Sequence, residues 1–81
     1  MYENLKDTSR RLVGARQVMR AIRSEHLEEA YIARDADPLI TRPVMVACEN
    51  AKVRFTEVES MRMLGEACGI DVKAAVAGIV K

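Results

Sequence analysis

The sequence predicts one α/β domain over residues 1–81, with helices on both faces of a sheet, and three observations carry that prediction. Strand-like and helix-like periodicities alternate along the chain, the stretches between them are short, and no repeat or low-complexity segment interrupts them. Four strands and four helices are expected, which in 81 residues leaves room only for tight connections.

The elements follow in order. "YENLKDTSR", residues 2 to 10, reads as a short first helix. "RLVGA" is a short apolar run, hence a strand, ended by Gly14 at a backbone position that needs freedom. From Arg16 onward Val18, Met19 and Ile22 repeat at i, i+1 and i+4 and leave Arg16, Arg20 and Arg23 on the other side, which is an amphipathic helix. "EAYIA", residues 29 to 33, is rich in strand formers and runs into "RDADP", where Asp35, Asp37 and Pro38 mark a turn and a helix start. Val44, Ala47, Cys48 and Ala51 keep helical spacing. Proline is tolerated best in a first turn, so Pro43 places the start of the regular helix near Arg42. "VRFTEV" is a strand with Val53, Phe55 and Val58 inward. Ser60 is a good N-cap for "MRMLGEAC", and Gly69 reads as the glycine just past that helix's end. "AAVAGIV", residues 74 to 80, fits a buried central strand.

An apolar fraction of 49% and a charged fraction of 31% describe an ordinary globular domain and exclude a disordered tail. With one Phe, two Tyr and no Trp, the core must be aliphatic. No apolar run reaches bilayer length, and the first residues open with an acid instead of a basic flank, so a cytoplasmic protein without membrane association is expected. Cys48 and Cys68 lie far apart in apolar surroundings without C-x-x-C spacing, and read as buried thiols acting as small hydrophobes.

The net charge of +1 hides a pattern. Lys6, Arg10, Arg11, Arg16, Arg20 and Arg23 face only Glu3 and Asp7 in residues 1 to 24, a local charge of +4. Arg34 stands against Glu25, Glu28, Glu29, Asp35 and Asp37 in residues 25 to 40, a local charge of −4. Such segregation points to a local polyanion contact instead of a global one. The helix start behind Gly14 offers free N–H groups and a positive dipole end; Arg16 adds a planar fork of donors, and Gln17 both a donor and an acceptor for a base edge. That set suits RNA better than a bare phosphate.

Other candidates carry less. The carboxylates of "DADP" are too few for an oxygen-ligand cation and read as helix capping. His26 has no cysteine or second histidine near it and reads as a surface residue at a helix C-terminus. Gly65 and Gly69 read as close packing and a C-cap. Without a Ser-His-Asp set, a phosphate-binding glycine loop or paired buried acids, neither an enzyme nor a cofactor, metal or small-molecule substrate is expected.

Three segments, "VGARQVMRAIR", "AYIARDADP" and "VESMRMLGEACGIDVKAA", together resemble the kink-turn RNA-binding ribosomal protein superfamily of the L-seven-Ae type, and among its members the short bacterial YbxF-like ones. The match runs from about Leu12 to Val80, with three motifs in the family's order and spacing. The resemblance implies a three-layer α/β/α sandwich with a four-stranded mixed sheet, and non-enzymatic recognition of sharply bent RNA by a monomer, ribosomal RNA being one candidate; the alternative is a protein-interaction or regulatory module of the same fold without RNA binding, against which Gly14, Arg16, Gln17 and Arg20 speak. It implies that Gly14 and Ala15 let the backbone approach RNA, that Gln17 bonds a guanine edge in tandem sheared G·A pairs, and that Arg16 and Arg20 reach bases or flanking phosphates. The loop "CGIDVK" corresponds to the family's second RNA-contacting loop, with Ile70, Asp71, Val72 and Lys73 at the bend. Asp37 and Met61 match positions that in some relatives line a pocket for a flipped-out nucleotide. Ala15 stands where threonine is commoner and Gln17 where archaeal members have glutamate, which implies weaker affinity than theirs; bacterial members of this type share the glutamine.

Overall fold

The computed structural model describes residues 3 to 81. After a 3-10 turn, Glu3–Lys6, come β1 (Arg11–Val13), α1 (Ala15–Arg23), β2 (Leu27–Ala33), α2 (Pro38–Ala51), β3 (Arg54–Val58), α3 (Met61–Cys68) and β4 (Val76–Val80). The first segment is thus one turn instead of a helix running to residue 10, and Tyr2 lies outside the described residues. Asp7 is the reason. Its carboxylate accepts from the Ser9 backbone N–H at 3.0 Å and the Ser9 hydroxyl at 2.6 Å, a local bonding pattern that competes with helix continuation.

The second departure is the start of α2. Asp37 caps the helix by accepting from the Leu39 N–H at 2.9 Å, Pro38 occupies the first turn, and Pro43 lies inside the helix. A mid-helix proline withdraws the donor owed to the carbonyl four residues back. Here that carbonyl belongs to Leu39, a residue that is 84% exposed, so the lost bond falls on the solvent side of the helix and the cap sets the start.

The sheet order is β1-β4-β2-β3, with β4 antiparallel to both β1 and β2, and β2 parallel to β3. α1 and α2 cover one face, where Val18, Ile22, Val44 and Cys48 pack with Ala30, Ile32 and Val76. α3 and the 3-10 turn cover the other, where Leu5, Leu64 and Cys68 pack with Tyr31, Ala33, Ala77 and Ile79. This is the three-layer sandwich with a mixed sheet. Side chains alternate between the two cores along β2, which explains why its last four residues are all buried. Phe55 and Val58 are both inward, as expected, but toward opposite cores. Among the described residues no helix is long and apolar enough to cross a membrane.

The strand directions matter most for the site. The carboxyl ends of β1, β2 and β3 and the amino end of β4 share one edge of the sheet, tied by Gly14 N–H to the Val76 carbonyl at 2.8 Å, Ala33 N–H to the Ala75 carbonyl at 2.9 Å and Arg34 N–H to the Val58 carbonyl at 2.8 Å. The turn at Gly14, residues 34 to 37, residues 59 and 60, and residues 69 to 75 therefore gather at that edge.

Candidate nucleic-acid interface

The α1 end of the edge is built on Gly14, at φ 105° and ψ 144°, a backbone state that glycine alone adopts without strain. As the N-cap it offers no side-chain acceptor, so the first N–H groups of α1 point outward uncapped. Val18, Ala21 and Ile22 are buried under the helix, which turns Arg16, Gln17 and Arg20 to the outside. Two of these choices oppose helix stability. A cation in the first turn meets the positive end of the dipole, and like charges at i and i+4 repel. An anion bound at this helix start relieves both penalties.

Among the described residues the ion pairs are Arg10 with Glu28 at 3.5 Å, Arg34 with Glu57 at 3.9 Å and Arg62 with Glu66 at 3.8 Å, so Arg16, Arg20 and Arg23 remain without an acidic partner. The basic face suggested by charge counting is correspondingly narrower. Arg10 is neutralised, and Arg11 donates to the carbonyls of Leu5 and Cys68, closing the end of α3. Beside the α1 arginines runs an open groove of about 490 Å³ between the helix and the β1–β4 side of the sheet, with Leu12 and Val80 in its floor and Arg16, Gln17 and Arg20 on its wall. His26 ends the groove, exposed after the C-terminus of α1, its Nδ1 2.9 Å from the Ser24 hydroxyl.

The rest of the edge is built by α3. Ser60 caps it by accepting from the Met63 N–H at 3.1 Å, and Gly69 ends it in the left-handed conformation at φ 75°. The chain then folds back along the helix: Ile70 N–H bonds the Gly65 carbonyl at 3.1 Å, and Ala74 N–H bonds the Met61 carbonyl at 3.0 Å. A Cβ on Gly65 would sit 2.2 Å from the Val72 carbonyl oxygen, so only glycine lets residues 70 to 73 lie so close. Ile70 is half-buried against the core and anchors this loop, whereas Val72, 68% exposed, is presented outward with Asp71 and Lys73.

The two acids of "DADP" each serve a different helix. Asp37 caps α2, while the Asp35 carboxylate accepts from the Met61 N–H at 2.8 Å and so fastens the β2–α2 turn to the start of α3. Met61 itself is half-buried against the core, between that turn and the loop of residues 70 to 73. The fold thus brings Gly14, Ala15, Arg16, Gln17, Asp37, Met61, Ile70, Asp71, Val72 and Lys73 to one edge, with Arg20 one helical turn behind. Arg11 and Asp35 were missed as organisers of the edge because their partners are 57 and 26 residues away in sequence. The paired acids around one alanine were the available signal for Asp35.

Neither thiol has the properties of a nucleophile. Cys48 and Cys68 are buried, and burial pushes both thiols above their ordinary range, with Glu49 adding to the effect at Cys48 and Arg11 opposing it at Cys68. Stability should respond to alkali accordingly. An acid whose folded pKa is raised stays protonated in the folded chain while the unfolded chain ionises, so its stabilisation is full below the unfolded value and falls as pH rises. Urea unfolding of the wild type is expected to lose more stability from about pH 8 to about pH 10 than unfolding of Cys48→Ala/Cys68→Ala. Parallel losses in the two proteins would remove the thiols from the pH dependence.

A family model described as "Ribosomal protein L7Ae/L30e/S12e/Gadd45 family" matches residues 2–81. The chain is 40% identical over 80 residues to an RNA-binding protein of Geobacillus sp. (strain WCH70), covering 99% of this chain and 98% of that one. It is 36% identical over 80 residues to the RNA-binding protein YbxF of Geobacillus stearothermophilus, with the same shares covered. Among solved structures, the Giardia lamblia 15.5kD RNA binding protein superposes with a TM-score of 0.90 at 30% identity, covering 99% of this chain and 68% of that one. Agreement of sequence and fold over nearly all of the 81 residues places this chain in the ribosomal protein L7Ae/L30e/S12e/Gadd45 family.

Proposed function

We propose that this chain binds structured RNA containing a kink-turn and holds it in the bent conformation, without catalysis, one chain to one RNA, in a cytoplasmic and ribosome-associated setting. The observation that carries the reading is the α1 start: an uncapped helix N-terminus behind Gly14, with Arg16 and Arg20 lacking acidic partners among the described residues. The names of the relatives, RNA-binding proteins matched over nearly their whole length, support the same reading.

In this mechanism the first turn of α1 enters the groove widened by the kink. Gly14, which has no side chain, and the small Ala15 let the backbone approach closely, and Gln17 pairs with a guanine edge in the sheared G·A tandem. Arg16 and Arg20 take flanking phosphates as forked donors. Val72, with Ile70 behind it, meets unstacked bases of the bend, as apolar side chains do in RNA outside regular helices. Asp37 and Met61 lie beside a flipped-out nucleotide. The protein favours the bent conformer because only that conformer makes these contacts together, so binding draws an ensemble of extended and bent RNA toward the bent state.

An end-labelled kink-turn RNA should shift to high energy-transfer efficiency on addition of the protein. Gln17→Ala should weaken that transition by about 1 to 3 kcal/mol, the scale of removing one partner of a buried polar contact. Gln17 is exposed on α1, so the variant should fold normally. Equal affinity of the variant and the wild type at the same salt would take Gln17 out of the site.

A further inference from the structure

We propose that α2 is a self-association surface, through which two copies of the free chain pair by antiparallel contact of their α2 helices. The face of α2 opposite its buried residues Thr41, Val44 and Cys48 carries Leu39, Pro43, Val46 and Asn50, at spacings of four, three and four, which is a heptad seam. Leu39 is 84% exposed and Val46 48%, and Ile40 beside them is 45% exposed, a concentration of apolar surface on one helix. Together with Pro38 and Ala47 the seam residues line a shallow groove of about 490 Å³.

The charges identify the occupant. Arg42 and Glu49 are exposed, lie seven residues apart on the same flank of the seam, and have no ion-pair partner among the described residues. In an antiparallel helix pair related by a two-fold axis, each flank faces the same flank of the other copy. Arg42 of each copy then meets Glu49 of the other, twice, while Leu39 lies over Asn50 and Pro43 over Val46. A parallel pair would set Arg42 against Ala47 and gain nothing from the charges. This self-complementarity is the mark of an isologous contact. RNA at the site edge could reach only the first turn of the seam, at Leu39; Val46 and Asn50 lie about 14 and about 20 Å along the 14-residue helix from Asp37, beyond that edge. One short helix per copy offers less than the roughly 800 Å² per partner of a standard interface, so the dimer is weak and concentration-dependent.

Sedimentation of the full chain from about 10 μM to about 1 mM, a range suited to a weak interface, is expected to show a reversible monomer–dimer equilibrium. Arg42→Glu places like charges opposite each other at both ends and should raise the dissociation constant about tenfold or more, the double exchange Arg42→Glu/Glu49→Arg should restore it, and Val46→Glu should abolish pairing. All three sites are exposed, and unchanged circular dichroism checks the fold of each variant. Binding of kink-turn RNA by these variants, measured separately, reads the α1 site independently. A monomer at every concentration, or a dimer indifferent to Arg42→Glu or not restored by the double exchange, would overturn the proposal.

Discussion

Gly65→Ala is expected to cost about 3 kcal/mol of stability, at the upper end of what overpacking usually does, and to weaken RNA binding as well. Gly65 sits inside α3 and is buried, and the methyl group would lie 2.2 Å from the Val72 carbonyl oxygen and 3.0 Å from the Lys73 Cα. Those neighbours are backbone, so no side chain can swing aside. The loop of residues 70 to 73 must lift from the helix, straining the bonds from Ile70 to Gly65 and from Ala74 to Met61 that hold it there. Lifting it displaces Val72 and Lys73 while leaving α1 untouched. Urea denaturation reads the first effect, and RNA titration at a temperature where the variant is folded reads the second. An unchanged midpoint would show that the loop is not held by this contact.

Gly14→Ala should act through a different cause. Nothing lies within 4 Å of a Cβ built there, so space is available, but φ 105° is a conformation that alanine does not adopt without strain. The expected cost is about 1 to 3 kcal/mol, the usual range for a forced non-glycine backbone state. If the chain relaxes instead, the first turn of α1 rotates and carries Arg16 and Gln17 away from their positions. RNA affinity then falls more than stability does. A variant that melts like the wild type and binds RNA equally well would contradict the role given to this backbone state.

These two glycines show what the sequence made legible and what it did not. A glycine between a strand-like run and a helical pattern announces a backbone requirement, and the turn at Gly14 was readable for that reason. Ser60 and Gly69 were readable as caps, and the acids of "DADP" as capping residues in general, because capping acts within three or four residues. The small-residue run of residues 74 to 80 was readable as a central strand because a strand buried on both faces is apolar throughout, although the strand itself begins only at Val76. The failures share another cause. Whether Pro43 breaks a helix depends on whether the orphaned carbonyl of Leu39 reaches water, and whether Arg11 belongs to a basic face depends on Cys68, brought beside it only by folding. The α2 start and the extent of the basic face were therefore tertiary outcomes that local patterns could not supply.

The central claim is recognition of a bent RNA through one helix start and one loop, and it is tested most directly by titrating two RNAs across a salt series. One contains a kink-turn, and the other has its sheared G·A pairs replaced by Watson–Crick pairs. With a net charge of +1, few phosphates are expected to be neutralised, and the proposed contacts are those of Arg16, Arg20 and Lys73. Three such contacts give a slope of log K against log salt of about −2 to −3, since each contributes roughly −0.7 to −0.9. The kinked RNA should bind far more tightly than the paired one at every salt concentration, with that shallow slope. Indistinguishable binding of the two RNAs with a steep shared slope would identify a generic polyanion binder and contradict kink-turn recognition.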